Sequence, residues 1–354
     1  MGAADSWRTS KLLRWLLHAL VGAGGLAGSV LTAAAADKVN IGYIGGTADV
    51  GFYVADARGY LRDEGIEATF TVFDNDVKMI PPLATGELDV ASGMVNAATY
   101  NAASRGIPLR VVADKARNKG VYSYQALVVR KALIDSGEVK SIADLKGRKF
   151  GLTGQASNSY VVAAEAWRSA GLKASDVEIV YLSLSQQAAA FASGAIDASL
   201  LPEPFLSAAI KNGSAVNFMP VTKIRDDSVS GVISYGEIFI KNRPEVARKL
   251  TKAYIRGLRD YVGALKDARL AGPGAPEIID IISRYSTVKD KELLGRIIPH
   301  YVDPDGQLGI ASLKKDWDFY KAEGIISGEF GVDQVVDASL VEAAIKELGP
   351  YKPK

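Results

Sequence analysis

A chain of 354 residues is long enough for two domains that each bury a core, and 48% hydrophobic with 23% charged residues excludes disorder and collagen-like repetition. There is no Cys and there are two His, one of which, His18, falls in a segment expected to be removed. That excludes Cys-ligated zinc, iron–sulfur clusters, thiol nucleophiles and Cys/His pairs, and leaves a Ser-His-Asp arrangement only with His300 as its base.

Residues 1–36 read as an export signal. Arg8, Lys11 and Arg14 form a basic start, Trp15 to Leu31 is apolar and small, and Thr32-Ala33-Ala34-Ala35-Ala36 offers a small-residue cleavage site, so the mature chain is expected to begin at Ala36 or Asp37. No Arg-Arg pair is present and no Cys lies near the cleavage site, which favours the general secretory route without a lipid anchor. A periplasmic location follows as the expectation. Removal takes three of 42 basic and one of 40 acidic residues and leaves 39 of each. A neutral chain with no long basic run carries no electrostatic footprint for nucleic acid or an anionic membrane. The expected cargo is a small molecule, with no cofactor and no metal.

In chain order, Val39 to Ile44 is a strand stopped by Gly45-Gly46, and a helix runs through Phe52, Tyr53, Val54, Ala57 and Leu61 to Gly65. Ile66 to Phe73 alternates as a strand, Val77 to Ala84 reads as a helix ended by Gly86, and Leu88 to Ala91 enters a third strand. The same order then recurs. Lys149 to Leu152 is a strand, Ser159 to Ala170 a helix ended by Gly171, Val177 to Leu182 a strand, Gln186 to Ser193 a helix ended by Gly194, and Ile196 to Ala198 enters a strand. Gly42 and Gly151, Gly65 and Gly171, Gly86 and Gly194, and Asp89 and Asp197 correspond at nearly constant offset, which reads as two copies of one βαβαβ plan. Two extended runs, near 125–130 and 231–236, are expected to cross between the copies as parallel hinge strands. Beyond them Pro244 opens a long helix with Val246, Leu250, Tyr254, Leu258, Tyr261 and Leu265 on one face, followed by helices near 278–285, 312–323 and 337–348.

Several segments resemble the substrate-binding proteins of bacterial ABC importers, in particular the nitrate/sulfonate/taurine-type branch of the type II periplasmic binding fold. They are Phe52-Tyr53-Val54-Ala55 with Gly59, Leu61 and Glu64-Gly65-Ile66; Ser141 through Gly151; Ala190 through Ala198; Glu203-Pro204; and Phe239 through Val246. The resemblance covers roughly 39–260. It implies an α/β, two-lobed fold with a ligand cleft between lobes: residues 37–125 the first part of lobe one, 126–231 lobe two, and 232–354 a return to lobe one with C-terminal helices. It also implies a periplasmic monomer that closes about a hinge on a small solute and delivers it to an ABC permease driven by a cytoplasmic ATPase.

In open α/β sheets ligands meet the loops at the carboxyl ends of strands. The expected contacts are therefore Gly46 and Thr47, Ser92 and Asn96, Gln155, Ser157, Asn158, Ser159 and Tyr160, Ser185, and Glu203 and Phe205. Gly154 to Tyr160 places hydroxyls and backbone N–H groups before a helix, a cradle for a sulfonate or carboxylate. Tyr53, Tyr100, Tyr160 and Phe205 offer stacking faces for an aromatic solute. These loops hold no Lys or Arg, so an anion rests on amides and hydroxyls unless Lys115, Arg117 or Arg225 reach in. With Asp49 and Glu203 as their charges, the loops leave a second reading open, a receptor presenting a neutral or cationic heteroaromatic such as a pyrimidine to a transporter or sensor. Thiamine-precursor synthases share the fold family, but their chemistry calls for His and Cys, and no catalytic residue is expected here.

Overall fold

The computed structural model describes residues 35–327 and 330–353. The export signal expected at the N-terminus lies outside the described residues up to residue 34. One compact unit spans Ala36–Lys354.

Ten strands build two five-stranded sheets. The first takes β1 (Asp37–Tyr43), β2 (Ile66–Val72), β3 (Val90–Gly93), β4 (Leu109–Asn118) and β10 (Ser228–Gly236) in the order β2-β1-β3-β10-β4. The second takes β5 (Gln125–Arg130), β6 (Lys149–Leu152), β7 (Glu178–Tyr181), β8 (Ala198–Pro202) and β9 (Ala215–Pro220) in the order β7-β6-β8-β5-β9. In each sheet three strands run parallel, and one strand, β10 or β5, pairs antiparallel on both sides.

The two copies read in the sequence are these two sheets, and the shared glycine has one physical cause. Gly42 lies in β1 opposite Ala91 of β3, and Gly151 lies in β6 opposite Ser199 of β8. A Cβ on Gly42 would meet Leu88 Cδ1 at 2.7 Å, and one on Gly151 would meet Ile196 Cδ1 at 2.9 Å. Leu88 and Ile196, 108 positions apart, thus fill the space over the equivalent strand, the middle one of the three parallel strands, in both copies.

The crossing points differ from the sequence expectation. Residues 125–130 and 231–236 lie inside β5 and β10, and the chain passes between sheets just ahead of each, in 119–124 and 221–227. Apolar extended runs mark the strands that follow a crossing; the crossings themselves are a turn at 119–124 and the short Val221–Ile224 helix with the turn after it. They are also antiparallel, since Ser228 pairs with Asn118 and Val229 with Arg117. At the first crossing the Asn118 and Gln125 side chains staple the ends together: Asn118 Nδ2 donates to Gln125 Oε1 at 2.7 Å, and the Gln125 amide donates to Asn118 Oδ1 at 3.1 Å.

The long amphipathic helix spans Pro244–Gly263 and buries Val246, Leu250, Tyr254, Leu258 and Tyr261, as its periodicity requires. Leu265 belongs instead to a hairpin of Leu265–Lys266 with Arg269–Leu270. This helix crosses the Val50–Ala57 helix so closely that a Cβ on Gly257 would stand 2.2 Å from the Gly51 carbonyl oxygen, which only glycine allows. The later helices are Ala275–Tyr285, Lys291–Arg296, Ile310–Ala322 and Ser339–Leu348. No helix among the described residues is long and apolar enough to cross a membrane.

Candidate functional site

The carboxyl ends of both sets of parallel strands carry helix starts. After β1 the chain turns through Gly46 and a Thr47–Asp49 turn into the Val50–Ala57 helix, and after β3 Asn96 caps the Ala97–Ser104 helix. After β6 Ser157 caps the Asn158–Ser169 helix, after β7 Ser183 opens Leu184–Ser193, and after β8 Phe205–Lys211 follows. The two sets touch where the Ala97 amide donates to the Ala156 carbonyl at 3.2 Å. The loops of Asn96 and of Gln155 to Ser157 are thereby brought together.

On the first sheet, Asp49 is the hub. It is 2% exposed and accepts from Ser92 Oγ at 2.6 Å and from the Gly46 amide at 3.2 Å. Lys115 Nζ, on β4, lies 2.7 Å from Asp49 Oδ1 and donates to the Ser92 carbonyl at 3.1 Å. Ser92 is thus a buried support for Asp49, and Gly46 also accepts from the Tyr53 hydroxyl at 3.0 Å. Thr47 stays half-buried at the turn. Asn96 spends its carbonyl on the Thr99 amide at 3.1 Å and its amide on Asp76 Oδ2 at 2.6 Å. Burial pushes the Asp76 carboxyl up, against the pull of backbone amides and Lys115.

On the second sheet, Ser157 Oγ donates to the Gly154 carbonyl at 2.6 Å, accepts from the Tyr160 amide at 3.3 Å, and lies 2.9 Å from Ser159 Oγ. Among the described residues the first-turn amides of Asn158 and Ser159 have no hydrogen-bond acceptor, the standing condition of a helix start. Gln155 is exposed and Ser159 half-buried. Ser185 is exposed, with its hydroxyl 3.1 Å from Ser183 Oγ. Glu203 is buried and accepts from the Ser207 amide at 3.0 Å and its hydroxyl at 2.9 Å, while burial raises its carboxyl.

The stacking faces fare differently. Tyr53, Tyr100 and Tyr160 are all within the core: Tyr160 packs edge-on to Phe319 at 5.5 Å and to Trp167 at 6.3 Å, and Tyr53 stacks on Tyr285 at 5.4 Å. Phe205 remains half-buried against the second sheet's helices.

The three cations expected to reach in, Lys115, Arg117 and Arg225, are each paired with carboxylates. Lys115 holds Asp49, Arg117 holds Asp114 at 2.9 Å and Asp227 at 3.3 Å, and Arg225 holds Asp316 together with Glu165 at 3.0 Å. Asp76 and Asp316 escaped sequence reasoning. Asp76 opens the Asp76–Met79 turn that follows β2, a position the strand pattern marks; Asp316 is 91 residues from Arg225 and has no local signal.

His300 is buried and stacks on Tyr261 at 4.8 Å, and the Tyr261 hydroxyl donates to the His300 carbonyl at 2.7 Å. Burial, then the Lys115 charge, depress its pKa to about 3. A depressed histidine pKa contributes stability that is full above the unfolded value of about 6.5 and is lost as pH falls toward 3. The wild type is therefore expected to lose up to about 1.4 kcal/mol per pH unit below 6.5 relative to His300→Phe. Urea unfolding of both from pH 7 to pH 4 checks this; parallel curves would contradict it.

No group of three or more His, Cys, Asp or Glu among the described residues is placed to hold a metal ion. Two mixed sheets of one plan, joined by two crossings and meeting at their helix starts, define the two-lobed periplasmic binding protein fold. The chain belongs to the NMT1/THI5-like family, whose model matches residues 47–264. It is 27% identical over 217 residues to the riboflavin-binding protein RibY of Chloroflexus aurantiacus, a match spanning 59% of this chain and 57% of that one. It is 25% identical over 251 residues to the taurine-binding periplasmic protein of Escherichia coli, spanning 70% and 73%. The crystal structure of the periplasmic aliphatic sulphonate binding protein SsuA from Escherichia coli superposes with a TM-score of 0.68 at 18% identity, covering 85% of this chain and 92% of that one. The desulfurization enzyme DSZB shares the fold at a TM-score of 0.61 and 15% identity, covering 88% and 99%.

Proposed function

We propose that the protein is the periplasmic solute-binding component of an ABC import system, capturing a small organic anion by hinge closure and handing it to a permease powered by a cytoplasmic ATPase. The observation that carries this reading is the unpaired start of the Asn158–Ser169 helix, at the point where the loops of the two sheets touch. Amides of Asn158 and Ser159, with the Ser159 hydroxyl, offer converging donors to a sulfonate or carboxylate, and the helix dipole adds partial positive charge there. The taurine-binding relative supports the same reading.

A second reading rests on a specific observation. Lys115 is already neutralised by Asp49, and the loop after β2 adds the Asp76 carboxylate, so the first-sheet side of the cleft favours N–H donors over a second anionic group. A neutral or cationic heteroaromatic would fit that side, in line with the riboflavin-binding relative. Binding without catalysis is the reading we favour for either solute: the chain has no Cys, and His300 is buried, neutral and stacked on Tyr261.

A thermal-shift panel of taurine, alkanesulfonates, aromatic and aliphatic carboxylates, nitrate, pyrimidines and riboflavin tests the proposal and separates the two readings. A solute at a hundred times its Kd adds about 2.7 kcal/mol to apparent stability. We expect one chemical class to raise the melting temperature in a dose-dependent way; no shift from any of them at millimolar concentration would contradict it.

A further inference from the structure

The start of the Asn158–Ser169 helix is held by residues far from it in sequence. Asn158, its first residue, is 4% exposed, and its side-chain amide donates to Asp316 Oδ2 at 2.9 Å and to the Val229 carbonyl of β10 at 3.4 Å. Asp316 lies on the Ile310–Ala322 helix, is 1% exposed, and pairs through its other oxygen with Arg225 in the segment that returns the chain to the first sheet. Arg225 in turn reaches Glu165, two turns further along the same Asn158–Ser169 helix, at 3.0 Å. The β10 backbone closes the ring, since the Val229 amide donates to Ser312 Oγ at 3.0 Å.

We infer that Asp316 is a positioning residue of the binding site, seating the start of the Asn158–Ser169 helix against β10 and the return crossing through its bond to Asn158. This rests on the reading that the same helix start receives the solute. Burial makes the arrangement selective: Asn158 needs an acceptor, and the groups around Asp316 are Asn158 and Glu165 from one helix, Arg225 from the crossing, Tyr100 from the Ala97–Ser104 helix and Tyr320 on its own. Among these, Asp316 is the acceptor that Asn158 holds at 2.9 Å. Burial pushes the Asp316 carboxyl up to about 6, so near neutral pH it is ionised and has acceptors only. A helix start tied in this way keeps its free amides at a fixed height over the Ala97–Ala156 contact, and the order of the site then depends on a helix near the C-terminus.

The test compares two substitutions of similar size. Asp316→Asn keeps a carbonyl for Asn158 and loses the charge; Asp316→Leu loses both. Hydrogen–deuterium exchange of the full mature chain without solute reads the amides of residues 160–162, whose protection reports the first turns of the helix. Asp316→Leu is expected to speed their exchange about tenfold or more, as loss of a hydrogen bond to a charged group implies, with Asp316→Asn within about threefold of wild type. Should Asp316→Leu fail to fold, Asn158→Ala removes the same contact from the other side and is expected to give the same acceleration. Wild-type exchange in Asp316→Leu or Asn158→Ala overturns the inference, and so does equal acceleration in Asp316→Asn, which would assign the effect to the charge. The cradle reading has its own arm: taurine and riboflavin are added to wild type, and whichever raises the melting temperature should slow the same amides. Binding that leaves them unchanged would overturn the cradle while leaving the seating of the helix by Asp316 intact.

Discussion

Replacing Asp49 with Ala is expected to lower folding stability by about 3–5 kcal/mol, the range for removing one partner of a buried ion pair. The expectation follows from what would be left behind. Lys115 would keep a buried ammonium with the Ser92 carbonyl as its remaining acceptor, while the Ser92 hydroxyl and the Gly46 amide would lose theirs. Adding Lys115→Met to Asp49→Asn removes both charges, and this pair should recover most of the loss, because a buried pair swapped for neutral groups is often close to neutral in stability. Urea unfolding of the two variants decides it. A single Asp49→Ala variant within about 1 kcal/mol of wild type would mean that the Lys115 charge finds water or another carboxylate.

Trp167→Ala should cost a similar amount, about 3–5 kcal/mol. Trp167 is fully buried on the Asn158–Ser169 helix, edge-on to Phe150 of β6 at 4.9 Å, so it fastens that helix to the second sheet at the end opposite its cap. Its indole N–H is buried without a partner. Trp167→Phe removes that unpaired donor along with some volume, and is expected to cost less than half as much. Thermal and urea unfolding measured on both variants would contradict this packing if Trp167→Phe were as damaging as Trp167→Ala.

The parts of the molecule that sequence made legible are those set by local chemistry. Glycines at fixed offsets exposed two copies of one plan because each copy needs a left-handed turn after its helices, as at Gly86 and Gly194, and a side-chain-free position in the middle one of its three parallel strands, as at Gly42 and Gly151. The Gly154 to Ser159 stretch was legible as a helix-start loop because a cap such as Ser157 is a one-turn device. The Val77 to Ala84 helix was found with its start misplaced: Asp76–Met79 is a tighter 3-10 turn, and the α-helix begins at Ile80 with Pro81 and Pro82 in its first turn. The passages between the sheets come one loop earlier than the apolar runs suggested, because those runs are the strands that follow each passage. What could not be read is the pairing of distant charges. Nothing near Lys115 in the sequence announces Asp49, and nothing near Arg225 announces Asp316, because those contacts exist only once two sheets and a late helix have been brought together.

The central claim is that a solute is held at the start of the Asn158–Ser169 helix, between the two sheets. Calorimetric titration of the solute identified by thermal shift, into wild type, Ser157→Ala, Ser159→Ala and Glu203→Gln, tests it most directly. Each hydrogen bond to a charged group is worth roughly 1.5–3 kcal/mol, so at least one serine variant should bind about tenfold or more weakly. Glu203→Gln should bind nearly as wild type, because Glu203 is occupied by Ser207. Melting temperatures taken alongside separate loss of contact from loss of the Ser157 cap, which alone costs about 1 kcal/mol. Wild-type affinity in both serine variants, with binding abolished in Glu203→Gln, would contradict the account and place the solute's own donors on the carboxylates.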